Sequence, residues 1–133
     1  MEPLKQEQVN YKLTWEDKGF LVAYYGMITG SDVDKLNRTL HGDIRFDNHK
    51  YQIWEFLKSD YSQMSIDDAR TLAATDAIAS RSTPNVKVAI IANDEHMSLI
   101  VKEYTKCMKE IFNSSWEIRL FDKMSSAREW IKE

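Results

Sequence analysis

Two carboxylates, Glu55 and Asp76, occupy positions where an acidic side chain could do chemistry. Glu55 lies late in an apolar run that is typical of a central strand, and Asp76 lies near the middle of the apolar stripe of a helix. Because burial raises the pKa of a carboxyl group, two such groups could serve as general acid and general base. The simpler interpretation, which the pattern favours, is that Glu55 reaches a solvated edge and Asp76 pairs with a basic neighbour or a loop N–H.

Histidine and cysteine do not form a pattern that predicts catalysis or metal binding. His41, His49 and His96 lie on different segments without a second ligand four residues away, so we expect exposed or capping histidines. Cys107 falls on the apolar face of a helical segment and should be a buried small hydrophobic residue. The four glycines form neither a phosphate-binding loop nor a dinucleotide fingerprint. We therefore predict no metal, no cofactor and no enzymatic activity.

Composition and charge argue against several classes of function. The 133 residues suit one domain, and a net charge of -3 lacks the basic surface that nucleic-acid phosphates require, so we expect no nucleic-acid partner. A single cysteine fits a reducing compartment. The polar start and the lack of an apolar run of about 20 residues predict no signal peptide and no integral membrane segment. The expected location is the cytoplasm.

Apolar periodicity divides the chain into a strand pair followed by alternating helices and strands. Residues 1–8 are polar and predict a flexible lead, and residues 9–133 form the predicted domain. The strand signals fall at residues 11–15, 20–25, 51–57, 86–92 and 116–121. Strands separated by helices of this length pair in parallel through right-handed crossovers. The predicted fold class is therefore α/β, with a single mixed, mostly parallel five-stranded sheet and four helices in the order ββαβαβαβα.

Capping signals predict where three of the helices begin. The signals are a capping box of Ser31 with Asp34, a second capping box of Ser65 with Asp68, and a cap at Asn93 or Asp94. The fourth helix is predicted at residues 125–131. The polar stretches 43–50 and 58–64 carry no period and are predicted to be loops.

The carboxyl ends of the parallel strands should share one edge of the sheet, which we call the rim. It should collect residues 27–30, 58–64, 93–95 and 122–124. Ligands of open α/β sheets usually bind outside these strand ends, where helix N-termini also point their free N–H groups. Glu55, Asp76, Thr29 and Asn93 are therefore candidate pocket or rim residues. Tyr61, the aromatic residue of a polar loop, should be exposed and could anchor a partner.

The order of the segments and three sequence stretches resemble the STAS superfamily. The stretches are residues 53–57 (IWEFL), residues 87–91 (KVAII), and Phe121 with the closing AREWI of residues 127–131. More narrowly, residues 9–133 resemble bacterial proteins of the anti-sigma factor antagonist type. The resemblance implies a non-enzymatic regulatory domain that docks on a kinase-like protein partner and loses that contact when a serine is phosphorylated. Such domains are also similar to the lipid-exchange CRAL-TRIO fold, which implies a small apolar ligand as the alternative.

The family's phosphorylated serine lies in an Asp-Ser-Ser-Gly motif at the start of the second helix. Here that region reads SQMS over residues 62–65, without the aspartate or the glycine. Ser65 keeps the place of a hydroxyl at a helix N-terminus, where the helix dipole favours phosphate, but Asp67 and Asp68 would repel the added charge. N-capping by Ser65 and loop hydrogen bonding by Ser62 are the favoured interpretation.

Three hypotheses of function follow. The first, which we favour, is a binding domain that docks on a protein partner through Asp60, Tyr61, Ser62 and Ser65. The second is a carrier or sensor of a small apolar, lipid-like ligand held between the sheet and the helices. The third is a small acid–base enzyme that uses one of the two carboxylates described above. Pairing of two copies through the exposed edge of the first strand would give a homodimer. The composition neither favours nor disfavours that pairing.

Overall fold

Five strands and four α-helices form the part of the chain that the computed structural model describes, residues 10–133. The strands are β1 (Tyr11–Trp15), β2 (Gly19–Met27), β3 (Tyr51–Asp60), β4 (Lys87–Ile91) and β5 (Glu117–Phe121). The helices are α1 (Gly30–His41), α2 (Ile66–Ser82), α3 (Glu95–Lys106) and α4 (Met124–Lys132). A 3-10 turn at Ile44–Asn48 follows α1, and a π-helical turn at Cys107–Ile111 follows α3. The predicted flexible lead, residues 1–8, lies outside the described residues.

The strands lie in the sheet in the order in which they occur in the chain, β1-β2-β3-β4-β5. β1 is antiparallel to β2, whereas β2 to β5 are mutually parallel. The predicted fold class, a mixed and mostly parallel sheet in the order ββαβαβαβα, is confirmed. Each parallel strand steps to the same side of the one before, so right-handed crossovers place α1, α2 and α3 together on one face. α4 packs on the other face.

Strand β4 contributes side chains to the hydrophobic cores on both faces of the sheet. Val88 and Ile90 belong to the large core beneath α1, α2 and α3. Ala89 and Ile91 belong to a second, smaller core against α4, where Trp130 is 3% exposed. Because successive side chains of a strand point to opposite faces, an apolar run such as KVAII is the pattern of a strand that is covered on both sides.

Polar contacts at the middle and at the C-terminal end of helix α4 help to hold it in place. Arg128 donates two hydrogen bonds to the Glu16 carboxylate, at 2.6 and 2.7 Å, and the Tyr51 hydroxyl donates to the same group. The Arg128 hydrogen bonds keep the pKa of Glu16 below its usual value. Lys87 Nζ donates to the carbonyls of Trp130 and Glu133, at 3.0 and 2.9 Å, and so places a positive charge at the C-terminal end of the helix dipole.

Strand β3 is longer than predicted and continues past Leu57 to Asp60. Its last residues pair with β2, where Lys58 lies opposite Tyr25 and Asp60 lies opposite Met27. The predicted loop at residues 58–64 is correspondingly shorter, because this pairing keeps its first residues extended. The predicted loop at residues 43–50 contains the 3-10 turn, which brings Phe46 into the core at 2% exposure.

The prediction for the start of α1 was wrong by two residues. Thr29, not Ser31, is the N-cap: its hydroxyl accepts from Asp32 N at 3.2 Å, and Asp32 Oδ2 accepts from Thr29 N at 2.9 Å. Gly30, a poor helix former that is typical of a turn, is the first helical residue. The capping box predicted for Ser65 and Asp68 is confirmed at the start of α2. Helix α3, for which Asn93 or Asp94 was predicted as the cap, is capped by Asp94.

Gly30 has a tertiary reason for its position in a helix. A Cβ added to Gly30 would lie 2.2 Å from Cγ of Asp68, the residue that completes the capping box of α2. The N-termini of α1 and α2 therefore touch at the rim, and the approach requires a residue without a side chain.

We predict that Gly30→Ala destabilises the protein by about 1–3 kcal/mol, because the new methyl group displaces Asp68 from the α2 cap. The matched control is Gly42→Ala. Gly42 ends α1 at φ -85°, and the nearest atom to an added Cβ is 3.7 Å away. This control should be neutral or stabilising by about 0.4–1 kcal/mol. Urea unfolding of both variants checks the prediction, and equal effects at the two glycines would contradict it.

Candidate functional site

The rim carries a depression of about 300 Å³ between the β3–α2 and β4–α3 connections. Its lining includes four of the candidate residues, namely Asp60, Tyr61, Ser62 and Asn93. Asp94 and His96, from the start of α3, complete the same depression. Four residues chosen from the sequence as rim or partner-binding candidates therefore lie together in the structure.

The segment that forms one wall of this depression is ordered by its own hydrogen bonds. Ser62 N donates to Asp60 Oδ1 at 3.0 Å, and Met64 N donates to the Tyr61 carbonyl at 3.0 Å. Hydrogen bonds from the Ser62 hydroxyl and N–H keep the pKa of Asp60 below its usual value. Asp60 therefore carries its negative charge at neutral pH and fixes the turn that leads into α2.

Tyr61 does not have the exposure predicted for it, since only 7% of its surface is accessible. Its ring stacks on His96, with centroids 6.3 Å apart and planes inclined by 3°, and meets the edge of Phe56 at 5.9 Å. Burial, together with a hydrogen bond to Asp94, raises the pKa of Tyr61 to about 12. The prediction failed because the longer β3 turns the side chain inward, so Tyr61 supports the depression rather than projecting from it.

His96 closes this corner of the rim by linking α3 to the start of α2. Its Nε2 donates to the carbonyl of Met64 at 2.8 Å. The residue is exposed and serves a local structural role, as expected for a capping histidine. The stacked pair of Tyr61 and His96 therefore joins the two connections that border the depression.

Asp76 is buried beneath the helices, 5% exposed, as its place in the α2 stripe predicted. One oxygen, Oδ1, accepts from Asn37 Nδ2 at 2.6 Å and from His41 Nε2 at 3.1 Å. The other, Oδ2, accepts from the Tyr104 hydroxyl at 2.5 Å. Burial and the neighbouring carboxylate raise the pKa of Tyr104 well above its usual value, so the phenol keeps its proton and donates. The arrangement matches the structural interpretation, in which Asp76 pairs with a basic neighbour and with hydrogen-bond donors.

Glu55 does not meet Asp76. It is half-buried on β3, and its register partners are Ala23 and Ile91. Ile91 belongs to the core on the α4 face, so Glu55 lies on that face of the sheet, opposite the one that α2 covers. The two carboxylates therefore cannot work together as a general acid and a general base.

A buried polar chain behind the Asp76 cluster was missed by sequence reasoning. Trp54 Nε1 donates to Gln52 Oε1 at 2.9 Å, and Gln52 Nε2 donates to His49 Nε2 at 3.0 Å. His49 Nδ1 in turn donates to the Phe46 carbonyl at 2.5 Å. This order of donors requires a neutral imidazole, and burial lowers the pKa of His49 accordingly. His49, which we expected to be exposed or capping, is 3% exposed and is the C-cap of the 3-10 turn. Gln52, a polar residue on the inward face of β3, was the signal that a buried polar partner exists.

A cavity of about 60 Å³ lies between the sheet and α1, α2 and α3. Its walls are mostly apolar, and its polar lining residues are Asn37, Gln52, Asp76 and Tyr104. Sites for drug-sized molecules measure roughly 300–1,000 Å³. The volume therefore does not favour the hypothesis of a lipid-like ligand held between sheet and helices.

Comparison with known proteins identifies the fold. The structure is similar to that of the anti-sigma factor antagonist SpoIIAA in its unphosphorylated form, with a TM-score of 0.59, 11% identity, and coverage of 92% of this chain and 97% of that one. The fold is STAS-like. A DUF3478-family protein with a SpoIIAA-like fold, from Shewanella loihica PV-4, is similar at a TM-score of 0.53 and 13% identity, with 91% of each chain covered. No protein-family model matches the sequence, and a search of curated proteins finds no significant match.

In this STAS-like domain, Ser65 and Thr29 act as helix caps beside the rim depression. Ser65 Oγ accepts from Asp68 N at 3.1 Å, and Asp68 Oδ2 accepts from Ser65 N at 2.8 Å, as the sequence predicted. Ser62 has no comparable role in a helix and is exposed within the depression. The two serines of the region therefore differ in how much of the fold depends on their hydroxyls.

None of the helices within residues 10–133 is long and apolar enough to cross a membrane. In the same range, no group of three histidine, cysteine, aspartate or glutamate side chains is arranged to hold a metal ion.

We predict that Ser65→Ala destabilises the protein by about 1 kcal/mol, because the N–H of Asp68 loses its acceptor. Ser62→Ala, the matched control three residues earlier, should change the free energy of unfolding by less than about 0.5 kcal/mol. Chemical denaturation of the two variants under identical conditions measures the difference. Equal losses, or a larger loss at Ser62, would show that the capping box does not stabilise α2.

Proposed function

We propose that this chain is a non-enzymatic regulatory domain that docks on a protein partner at the rim, around the start of α2. The likeness in fold to an anti-sigma factor antagonist supports a role in protein binding. The observation that carries the proposal is a surface where apolar side chains are exposed at an ordered edge. We call it the α2-start surface and define it as Met27, Leu57, Asp60, Ser62 and Ile66.

Three residues of the α2-start surface carry exposed apolar side chains. Met27 is 49% exposed, Leu57 40% and Ile66 38%. Met27 lies opposite Asp60 in the sheet, Leu57 lines the rim depression, and Ile66 is the first residue of α2. Clustered apolar side chains bordered by polar groups are a common feature of protein-binding surfaces.

The charge around this surface specifies the kind of partner. Asp60 and Asp94 line the depression, and Glu95 follows in the first turn of α3. A complementary partner presents an apolar centre bordered by lysine or arginine, because matching potentials steer association and penalise acidic competitors. Phosphate added in this setting would increase the negative charge of the surface and so strengthen its attraction for such a partner.

Of the two serines in this region, Ser62 is the one that we propose as a site of phosphorylation. Ser65 uses its hydroxyl to cap α2, and Asp67 and Asp68 lie two and three residues after it. Ser62 is exposed within the α2-start surface, and a phosphate on its hydroxyl would perturb a turn and not a helix. Phosphate on Ser62 would lie beside Asp60 and would add negative charge that a basic partner recognises.

We predict that Ile66→Glu weakens capture of the partner at least about tenfold, a loss of about 1.4 kcal/mol in binding free energy. The matched control is Ile78→Glu, at an isoleucine of the same helix that is 73% exposed and lies outside the surface. A partner isolated by cross-linking in cells is purified, and its affinity for both variants is measured by calorimetry. Control-like binding by Ile66→Glu would contradict the proposed surface, and equal loss in both variants would point to an effect other than docking.

A further inference from the structure

A depression of about 470 Å³ lies at the edge of the sheet opposite the rim, where the parallel strands begin. We call it the amino-edge depression and define it by its charged lining residues, which are Lys18, Lys50, Lys87, Arg128, Lys132 and Glu133. Five of these six side chains are basic, although the chain as a whole has a net charge of -3. A concave surface lined by one sign of charge concentrates the electrostatic field and attracts ions of the opposite sign. The depression is therefore suited to an anion.

The backbone places three of these lysines at the starts of neighbouring strands. Lys50 N donates to the Lys18 carbonyl at 2.6 Å, and Lys87 N donates to the Lys50 carbonyl at 3.0 Å. The three residues thus follow one another across β2, β3 and β4, which are paired in parallel. Like charges on adjacent strands repel one another, and a bound anion would relieve that repulsion. The strand pairing that forms the sheet therefore also creates the cluster of positive charge.

The basic residues of the depression differ in how far the protein already uses their charge. Arg128 is engaged in an ion pair, and Lys87 donates to the last carbonyls of α4, where it offsets the negative end of the helix dipole. Lys18, Lys50 and Lys132 are exposed, and no carboxylate within residues 10–133 forms an ion pair with any of them. Three ammonium groups on flexible stems are therefore available to a ligand.

The number of available charges and the size of the depression limit what that ligand can be. One phosphate carries a charge of roughly -1.5 to -2 near pH 7, which leaves part of three positive charges unbalanced, whereas two linked phosphates match them. The volume of about 470 Å³ lies within the roughly 300–1,000 Å³ of small-molecule sites. Glu133, which also lines the depression, and Asp17, next to Lys18 in the chain, would repel a longer polyanion.

We propose that the amino-edge depression binds the diphosphate group of a small molecule. The ammonium groups of Lys18, Lys50 and Lys132 contact the phosphate oxygens as point charges. The half-buried side chains of Tyr51 and Ile131 line the same depression and offer an apolar wall to the rest of the molecule. The site lies at the opposite edge of the sheet from the α2-start surface, and the proposal does not depend on partner binding.

The test is calorimetric titration with sodium pyrophosphate and with sodium phosphate, at equal ionic strength and without divalent cations. The wild type should bind pyrophosphate at least about tenfold more tightly than phosphate. Three substitutions made together, Lys18→Gln, Lys50→Gln and Lys132→Gln, should weaken pyrophosphate binding at least about tenfold, as expected for the loss of three exposed ion pairs. Lack of saturable pyrophosphate binding by the wild type, or equal affinity for the two probes, would overturn the proposal.

The matched control makes the same change in net charge at exposed lysines outside the depression, with Lys58→Gln, Lys102→Gln and Lys123→Gln together. It should keep the wild-type affinity, and an equal loss in both triple variants would overturn the proposal, because net charge alone would then explain binding. A second measurement does not depend on the folding of any variant. Pyrophosphate should shift the NMR amide signals of Lys50, Asn85 and Ile131 in the wild type, and shifts confined to residues outside the depression would overturn the proposal.

Discussion

The packing of the three helices over the sheet depends on the burial of one carboxylate, Asp76. A carboxylate removed from water is strongly destabilising unless donors replace its hydration. The donors come from α1, through Asn37 and His41, and from α3, through Tyr104. Because α2 carries the carboxylate, these bonds set the positions of both neighbouring helices along α2. The apolar core supplies the driving force, and the Asp76 cluster selects one arrangement of the helices.

That arrangement determines the shape of the rim. With α1 and α2 held together at Asp76, their N-termini meet where Asp68 packs against the bare backbone of Gly30. On the other side of α2, Tyr61 and His96 join the start of α2 to α3. The positions of the residues in the α2-start surface are thus set by the packing of the helices deeper in the fold, and not by contacts among those residues. If this surface docks on a partner as we propose, its support by helix packing would keep its shape nearly unchanged and so lower the entropy lost on binding.

The sequence was sufficient to predict features that depend on local apolar periodicity. It was insufficient to predict features that depend on contacts between segments distant in the chain. Alternating and continuous apolar runs predicted five strands, and the stripe of α2 predicted that Asp76 is buried. The inward turn of Tyr61 depends on β3 pairing with β2 as far as Asp60, and no local signal contains that contact. The early start of α1 did have a local signal, the spacing of Thr29 and Asp32, which competed with the same spacing of Ser31 and Asp34. The separation of Glu55 from Asp76 could have been found, because Glu55 shares the parity of Ile53, which faces α4.

The most direct test of the account is a pair of double-mutant cycles centred on Asp76. Free energies of unfolding are measured for Asp76→Ala, Asn37→Ala and Tyr104→Phe and for the two double variants that include Asp76→Ala. If one carboxylate fixes both neighbouring helices, each pair has a coupling energy of about 1 kcal/mol or more, since each partner matters only while Asp76 is present. Coupling near zero for either partner would contradict the account, because α1 or α3 would then be held by apolar packing alone.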